Sequence, residues 1–298
     1  MTNTVLALGL AALAAAPILP QQQGASRPVA SDARTRSVYV SVLDNKDAPA
    51  AGLTVPDFTV REDGVAREVV KVEQGTAPLD VMLLIDDSEA LTPALQPMRE
   101  GIAKFIDKLQ GHGTLGVMTF GERPTTIVKP TTDATMLKRG SGRVFARSGA
   151  GSYLLEAIQE ASRDFARRKA DRAHIVVVTM QGVEFSNLQY DTVLKDLDAS
   201  GATLHVLEVG LPNTSRTDEM RNLNMVIAEG TKRTGGRRDQ ILAESGIAEA
   251  LPRVADDLLA QYVVTYGRPD RLIPPEKLQV TVNRPGLTIH APTKVAPR

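Results

Sequence analysis

The spacing of apolar positions changes along this chain, and each change marks a segment. Residues 5–16 are an unbroken run of Val, Leu, Ala and Gly, followed by Pro17 and the polar stretch Gln21-Gln22-Gln23-Gly24. That run has the length of a signal-peptide core and is too short to span a bilayer. Residues 1–25 therefore read as a leader and residues 26–36, small and polar, as a linker. From Ser37 the pattern alternates, Val38, Val40 and Val42 against Tyr39, Ser41 and Leu43, which predicts a half-buried strand before the turn Asp44-Asn45-Lys46-Asp47. Residues 58–61 and 68–72 are expected as the next two strands, with Asp63-Gly64 forming the tight hairpin between them. The segment 37–77 is thus read as all β.

After Pro78 strands alternate with amphipathic helices, the signature of a sheet covered on both faces. Val81-Met82-Leu83-Leu84-Ile85 is continuously apolar, as a central buried strand requires. Thr92 and Pro93 are expected as N-cap and first-turn proline of a helix. Behind them Leu95, Met98, Ile102, Phe105, Ile106 and Leu109 recur at helical spacing. Residues 115–120 and 125–128 read as a strand pair joined by Gly121-Glu122-Arg123-Pro124, placing one antiparallel strand on a mostly parallel sheet. Gly149-Ala150-Gly151-Ser152 opens a helix that buries Leu154, Ala157, Ile158, Ala161 and Phe165. Strands follow at 175–178 and 204–209, flanking a helix around 193–197 that ends at Ser200-Gly201. A helix at 222–234 stops at Gly235-Gly236, before a weak strand at 239–242 and a last helix carrying Ile247, Leu251, Val254, Leu258 and Leu259. The β pattern then returns at 261–266, 278–282 and 287–290. The expected fold class is α/β: a Rossmann-like, doubly wound, mostly parallel sheet over residues 78–260. Beside it a small β domain forms as segments 37–77 and 261–293 pair with each other.

Composition narrows the functional classes. Among 298 residues, 35 Lys and Arg balance 35 Asp and Glu, so no global field draws the chain to nucleic acid or anionic lipid. The absence of cysteine excludes disulfides, thiolate zinc sites and cysteine nucleophiles. His112, His174, His205 and His290 fall on separate elements without ligand spacing and are read as ordinary core or surface residues. No Gly-x-Ser-x-Gly elbow occurs, and the glycines at 149–151 lack the Gly-Lys-Ser/Thr of a nucleotide loop. The basic cluster Arg163, Arg167, Arg168, Lys169 and Arg172 is expected to complement a helix C-terminus and face water.

In an open α/β sheet, ligands bind beyond the carboxyl ends of the strands. There the first buried strand runs into Asp86-Asp87-Ser88-Glu89-Ala90, three carboxylates and a hydroxyl within five residues. Such oxygens suit a hard cation. Asp86 is equally suited to capping nearby backbone amides, and Ser152 to N-capping its helix. Acid-base catalysis by Asp86, Asp87 and Glu89 lacks a recognisable nucleophile nearby.

The strand followed by Asp86-x-Ser88 resembles the D-x-S-x-S motif of the metal-ion-dependent adhesion site in von Willebrand factor type A domains, and the order of elements through Ala260 is similar too. Ala90 stands in place of the second Ser, Ser152 takes the Thr position, and Thr179-Met180-Gln181-Gly182 lies where the family has T-D-G, so that Gln181, or Met180 if the match shifts by one residue, replaces its Asp. The resemblance implies Asp86, Ser88 and Ser152 as metal residues and Asp87, Glu89, Gln181 and Glu184 as a ligand rim. Glu184 is also a candidate substitute ligand. With a hydroxyl lost at Ala90 and a carboxylate at Gln181, Mg²⁺ or Mn²⁺ is expected to bind weakly or not at all, and no other cofactor is expected.

On the flanks, Gly52-Leu53 with Asp57-Phe58-Thr59-Val60-Arg61-Glu62-Asp63-Gly64, and later Gln261-Tyr262-Val263-Val264-Thr265-Tyr266, resemble an exported bacterial family related to these domains. That likeness implies an exported protein and specifies no ligand; taken with the first resemblance, the expected reading is a secreted or periplasmic, non-enzymatic module that binds a protein partner. It implies neither nucleic acid nor an integral membrane segment once the leader is removed. A scaffold component of an envelope assembly is the alternative, and a hydrolase using Asp86 a minor one. Mass spectrometry of the mature protein is expected to find the leader removed; an intact Met1 on a cytoplasmic protein would refute export.

Overall fold

The computed structural model describes residues 35–212, 215–268 and 275–295; the leader, and the linker up to residue 34, lie outside the described residues. The predicted alternation appears as β1 (Thr35–Leu43), which takes in the last two residues read as linker. After it come β2 (Phe58–Glu62), β3 (Val65–Arg67) and β4 (Val69–Gln74). The Asp63-Gly64 hairpin exists, with both residues at positive φ, but the strand it returns is β3 and not the run at 68–72. That run becomes β4 and crosses to another sheet, because Val69 and Val72 pack on the core beneath β1.

The next segment builds the layered part. β5 (Leu79–Ile85) leads through a 3-10 turn at Glu89–Ala94 into α1 (Leu95–Leu109). Thr92 is therefore not an N-cap; its hydroxyl donates to the Glu89 carbonyl at 2.7 Å inside that turn. β6 (Gly113–Thr119) and β7 (Thr125–Thr131) pair antiparallel as expected. A short helix that periodicity missed, α2 (Ala134–Ser141), follows, capped by the Asp133 carboxylate accepting from Thr135 and Met136 amides at 2.9 and 3.0 Å. Then come α3 (Leu154–Arg168), β8 (Ala173–Met180), α4 (Tyr190–Ser200) and β9 (Thr203–Val209). α5 (Asp218–Thr234), β10 (Arg238–Ile241) and α6 (Ile247–Leu259) complete the layers. The chain returns to the flank in β11 (Tyr262–Gly267), β12 (Leu278–Val282) and β13 (Thr288–His290).

The central sheet runs β10-β9-β8-β5-β6-β7, parallel except for β7. Alternate residues of each strand enter opposite cores, as pleating demands. On β8, Val176 and Val178 join α1 and α6, whereas Ile175 and Val177 join α3, α4 and α5. The sheet is thus doubly wound. Strand order reverses at β5 and β8, so their carboxyl ends border the crevice where such sheets bind ligands.

The flanking strands pair with each other in two antiparallel sheets, β13-β1-β11-β4 and β12-β2-β3, closed over a core of Val40, Phe58, Val60 and Val264. The residues of the two flank motifs form its latch. The Tyr262 hydroxyl donates to the Ala50 carbonyl at 3.0 Å, and the Tyr266 hydroxyl donates to buried Glu62 at 3.0 Å. Glu62 also holds Arg67 at 3.0 Å and Arg268 at 3.5 Å.

The chain leaves this flank at 75–78 and re-enters it at 260–261, and one side chain spans both crossings. Arg172, expected to face water, is 5% exposed and lies after α3 has ended. Its guanidinium donates to the carbonyls of Gly75 (3.0 Å), Ala77 (2.8 Å) and Leu258, and to the Gln261 side chain (3.1 Å), with the Tyr39 ring 5.0 Å below. Beside it His174 and His205, which spacing alone did not connect, stand with ring nitrogens 3.4 Å apart on neighbouring strands. Burial holds His205 down to about 3 and His174 well below its ordinary value, so the pair is neutral near pH 7. Replacing Arg172 by Met leaves buried carbonyls without donors on both crossings. Urea unfolding of Arg172→Met is expected to show a loss of about 3 kcal/mol or more, with only part recovered by Arg172→Lys because an ammonium cannot fork; a loss below about 1 kcal/mol, the scale of an ordinary surface change, would contradict this role.

Candidate functional site

Loops after β5, β6 and β8 and the segment before α3 meet at the carboxyl edge of the central sheet. Gly121 and Ser152 form a bridge, as do Ser152 and Glu184. The Glu89 amide donates to the Ala150 carbonyl at 3.1 Å and the Arg147 amide to the Asp87 carbonyl at 3.0 Å. The structure therefore brings Asp86, Ser88, Ser152, Gln181 and Glu184 to one edge.

Within that edge the acidic loop is turned inward. Asp86, Asp87 and Ser88 are 0%, 2% and 2% exposed. Asp86 accepts from the Ser88 amide at 3.0 Å on one oxygen, and from the Met180 amide at 2.9 Å on the other. Burial raises its carboxyl above the ordinary range; the Ser88 hydroxyl and the two amides pull it back, and Asp87 next door pushes it up again. The amide-capping role, left open by the sequence, is the one this geometry displays.

Asp87, expected on the rim, is instead a strut. One oxygen accepts from the Gly121 amide at 2.6 Å and the other from Arg147 Nε at 2.8 Å. Gly121 is required there, since a Cβ would stand 2.7 Å from that same carboxylate oxygen. Glu89 is exposed and accepts from the Gly149 amide at 3.1 Å. Ala90 contributes a methyl close against Gly182, beside the Ser88 hydroxyl.

Ser152 does not cap α3; Tyr153 holds the N-cap position, and no side chain serves there. The cap is supplied from another loop, by Glu184. Its carboxylate accepts from the Leu154 amide and from the Ser186 amide, both at 3.2 Å. Glu184 is thus 5% exposed and belongs to the interior rather than the rim. Burial pushes its carboxyl up to about 7, against the pull of the Ser186 and Ser152 hydroxyls and the Ser186 amide. Although close, Ser152 Oγ and Glu184 Oε2 make no hydrogen bond of acceptable geometry with each other or any other group. Both face a cavity of about 50 Å³ with Thr179 and Gln181, closed by Leu223 and Ile227 of α5. Asp86 and Ser88 are absent from its walls. Among the described residues no three His, Asp or Glu side chains are grouped to hold a metal ion.

Above the buried acids the edge is apolar, a feature that sequence periodicity did not single out. Phe145, Val183, Phe185, Leu211 and Leu242 are 52%, 62%, 49%, 74% and 68% exposed. All sit on connections at strand carboxyl ends or just before α3. Phe185 leans on Tyr153, ring centroids 6.0 Å apart, and lies over Gly151, where a Cβ would collide with its ring. The signal available in the sequence was Gly-Val-Glu-Phe after a strand, apolar residues where a solvated loop has none to bury.

Comparison with known proteins agrees with this architecture. Residues 81–182 match the family model of the von Willebrand factor type A domain, from the first buried strand to the Gly beside Ala90. The fold over these residues is that of a von Willebrand factor type A domain. Among solved structures it is similar to a von Willebrand factor type A protein from Catenulispora acidiphila, at 14% identity and TM-score 0.51, over 88% of this chain and 74% of that one. It is also similar to BatB from Bacteroides thetaiotaomicron (16% identity, 60% of this chain, 98% of that one, TM-score 0.46). A third likeness is to the domain of the type V pili tip protein Mfa5 from Porphyromonas gingivalis (11% identity, 61% of this chain, 95% of that one, TM-score 0.45). No curated protein matches the sequence. Among the described residues no helix is long and apolar enough to cross a membrane.

Glu184 generates a pH signature. Its folded value of about 7 lies above its ordinary 4.5, so the charged form is the disfavoured one and stability falls as pH rises from about 4.5 to about 7. Glu184→Gln keeps an acceptor for the Leu154 and Ser186 amides. It is expected to gain about 1–3 kcal/mol over wild type at pH 8 and almost nothing at pH 4.5. Denaturant unfolding at both pH values checks this, and an equal difference at both would contradict the assignment.

Proposed function

We propose that this protein is a non-enzymatic, protein-binding module of the cell envelope or exterior, and that its partner docks on the apolar rim at the carboxyl edge of the sheet. The supporting observation is the inversion of the site: acids buried and hydrogen-bonded below, large apolar side chains exposed above. Exposed apolar groups gathered on one edge are unfavourable in water and favourable in an interface. Catalysis is disfavoured by the same inversion, since each Asp86 oxygen already accepts a backbone amide and the carboxyl is sealed from solvent.

The donor set does not fit a firmly held Mg²⁺ or Mn²⁺. Asp86 is the one carboxylate retained at the family's positions, and it lies behind the cavity wall on which Ser152 stands. The hydroxyl position is the methyl of Ala90 and the second carboxylate is the amide of Gln181, both poor exchanges for a cation that requires a near-complete oxygen shell. Partner recognition in this reading runs through Phe185 and its neighbours, with Glu89 and Gln181 as polar contacts.

Calorimetric titration with Mg²⁺ and Mn²⁺ is expected to give no heat, and a partner captured from the envelope fraction is expected to survive chelation and to be lost with Val183→Asp/Phe185→Asp. Tight metal binding abolished by Asp86→Ala, or capture that needs the metal and tolerates the aspartates, would overturn the proposal.

A further inference from the structure

Every sheet in this protein is open, so edge strands carry outward backbone groups that need a partner or a guard. Most edges are guarded. β7 carries Pro130, whose nitrogen has no hydrogen to donate, and β10 is four residues long with Arg238 turned onto Glu208. β3 and β13 have three residues each, and β12 is covered by the tail, where the Leu278 amide donates to the Thr293 carbonyl at 2.9 Å.

β4 is the exception. Its six residues, Val69-Val70-Lys71-Val72-Glu73-Gln74, contain neither Pro nor Gly and three β-branched valines. β11 pairs with one side of it. Among the described residues no strand pairs with the other side. Val70 is 47% exposed, and the Lys71 and Glu73 side chains are 62% and 48% exposed.

We propose that β4 is a dimerisation edge, to which a second copy of this chain adds its own β4 antiparallel, with the two-fold axis at Val72. The argument is charge complementarity under that symmetry. Lys71 Nζ lies 2.7 Å from Glu73, which places both side chains on one face of the strand, two residues apart. In an antiparallel pair centred on Val72, Lys71 stands directly opposite the partner's Glu73, and the same contact repeats across the axis. On the other face Val72 meets the partner's Val72; Val70, skipped where the pairing with β11 shifts register between Lys71 and Val69, lies outside this contact. A slip of one residue would set unlike positions opposite each other and lose the charge pairs, so the sequence specifies a register. In the monomer this exposed ion pair contributes little; across the axis each charge gains a cross-strand partner. The inference does not depend on the apolar rim, which involves other residues.

Sedimentation velocity on the full chain over micromolar concentrations tests it. Wild type is expected to dimerise. Lys71→Glu sets like charges opposite each other at both symmetric positions and is expected to weaken the dimer about tenfold or more. Lys71→Glu/Glu73→Lys restores opposite charges in the same register and is expected to recover it. Matching thermal unfolding of the variants controls for folding. A monomer at every concentration, a dimer indifferent to Lys71→Glu, or failure of the double exchange to restore association would each overturn the proposal.

Discussion

A single guanidinium spans both crossings between the two halves of this fold. The chain leaves the flanking sheets just before β5 and returns to them just after α6, and at both crossings the backbone carbonyls face inward with no strand to satisfy them. Arg172 supplies the donors, reaching the Gly75 and Ala77 carbonyls on the way out and the Leu258 carbonyl and Gln261 side chain on the way back. A buried cation without a carboxylate is costly, and here the carbonyl dipoles and the Tyr39 ring offset the cost. The planar fork of arginine is the side chain that can address both crossings at once. The neutral His174 and His205 pair beside it follows chiefly from burial, which disfavours the protonated imidazole; at His174, repulsion from the His205 ring and then from Arg172 adds to it.

The site follows the same logic of satisfying donors and acceptors from distant loops. Three carboxylates at the carboxyl edge are buried and accept backbone amides, Asp86 from Ser88 and Met180, Asp87 from Gly121, Glu184 from Leu154 and Ser186, while Glu89 stays exposed. The loops are fastened to one another by these contacts. What is left at the surface is the apolar set around Phe185. A domain built in this way keeps the doubly wound scaffold while burying its acidic loop.

The flank motifs acquire a physical meaning in the same terms. Glu62 of Glu-Asp-Gly and Tyr266 of the returning strand are far apart in sequence and share a hydrogen bond, and Tyr262 ties the loop at Ala50 to β11. The two motifs are halves of one latch, which is why neither half explains itself alone.

Strands and long helices were legible in the sequence because their signal is local: a continuous apolar run for β5, period-2 alternation for β1, a stripe from Leu95 to Leu109 for α1. The helix stops at Gly201 and Gly235 were legible for the same reason, as their positive φ is a property of the residue. The clustering of Asp86, Ser88 and Ser152 on one edge followed from topology, since parallel strands deliver their loops to the same side. Partner choice was not local, and there the tertiary structure decided. Whether Glu68 to Gln74 would complete a hairpin or cross to another sheet, whether Ser152 or Glu184 would cap α3, and whether Arg172 would face water or carbonyls all depended on groups dozens of residues away. Sequence determines which side chains can form a given bond, but burial and the competition among distant partners determine which bond is formed, and in this protein that competition turned an acidic loop into structure and left large apolar side chains exposed at the carboxyl edge.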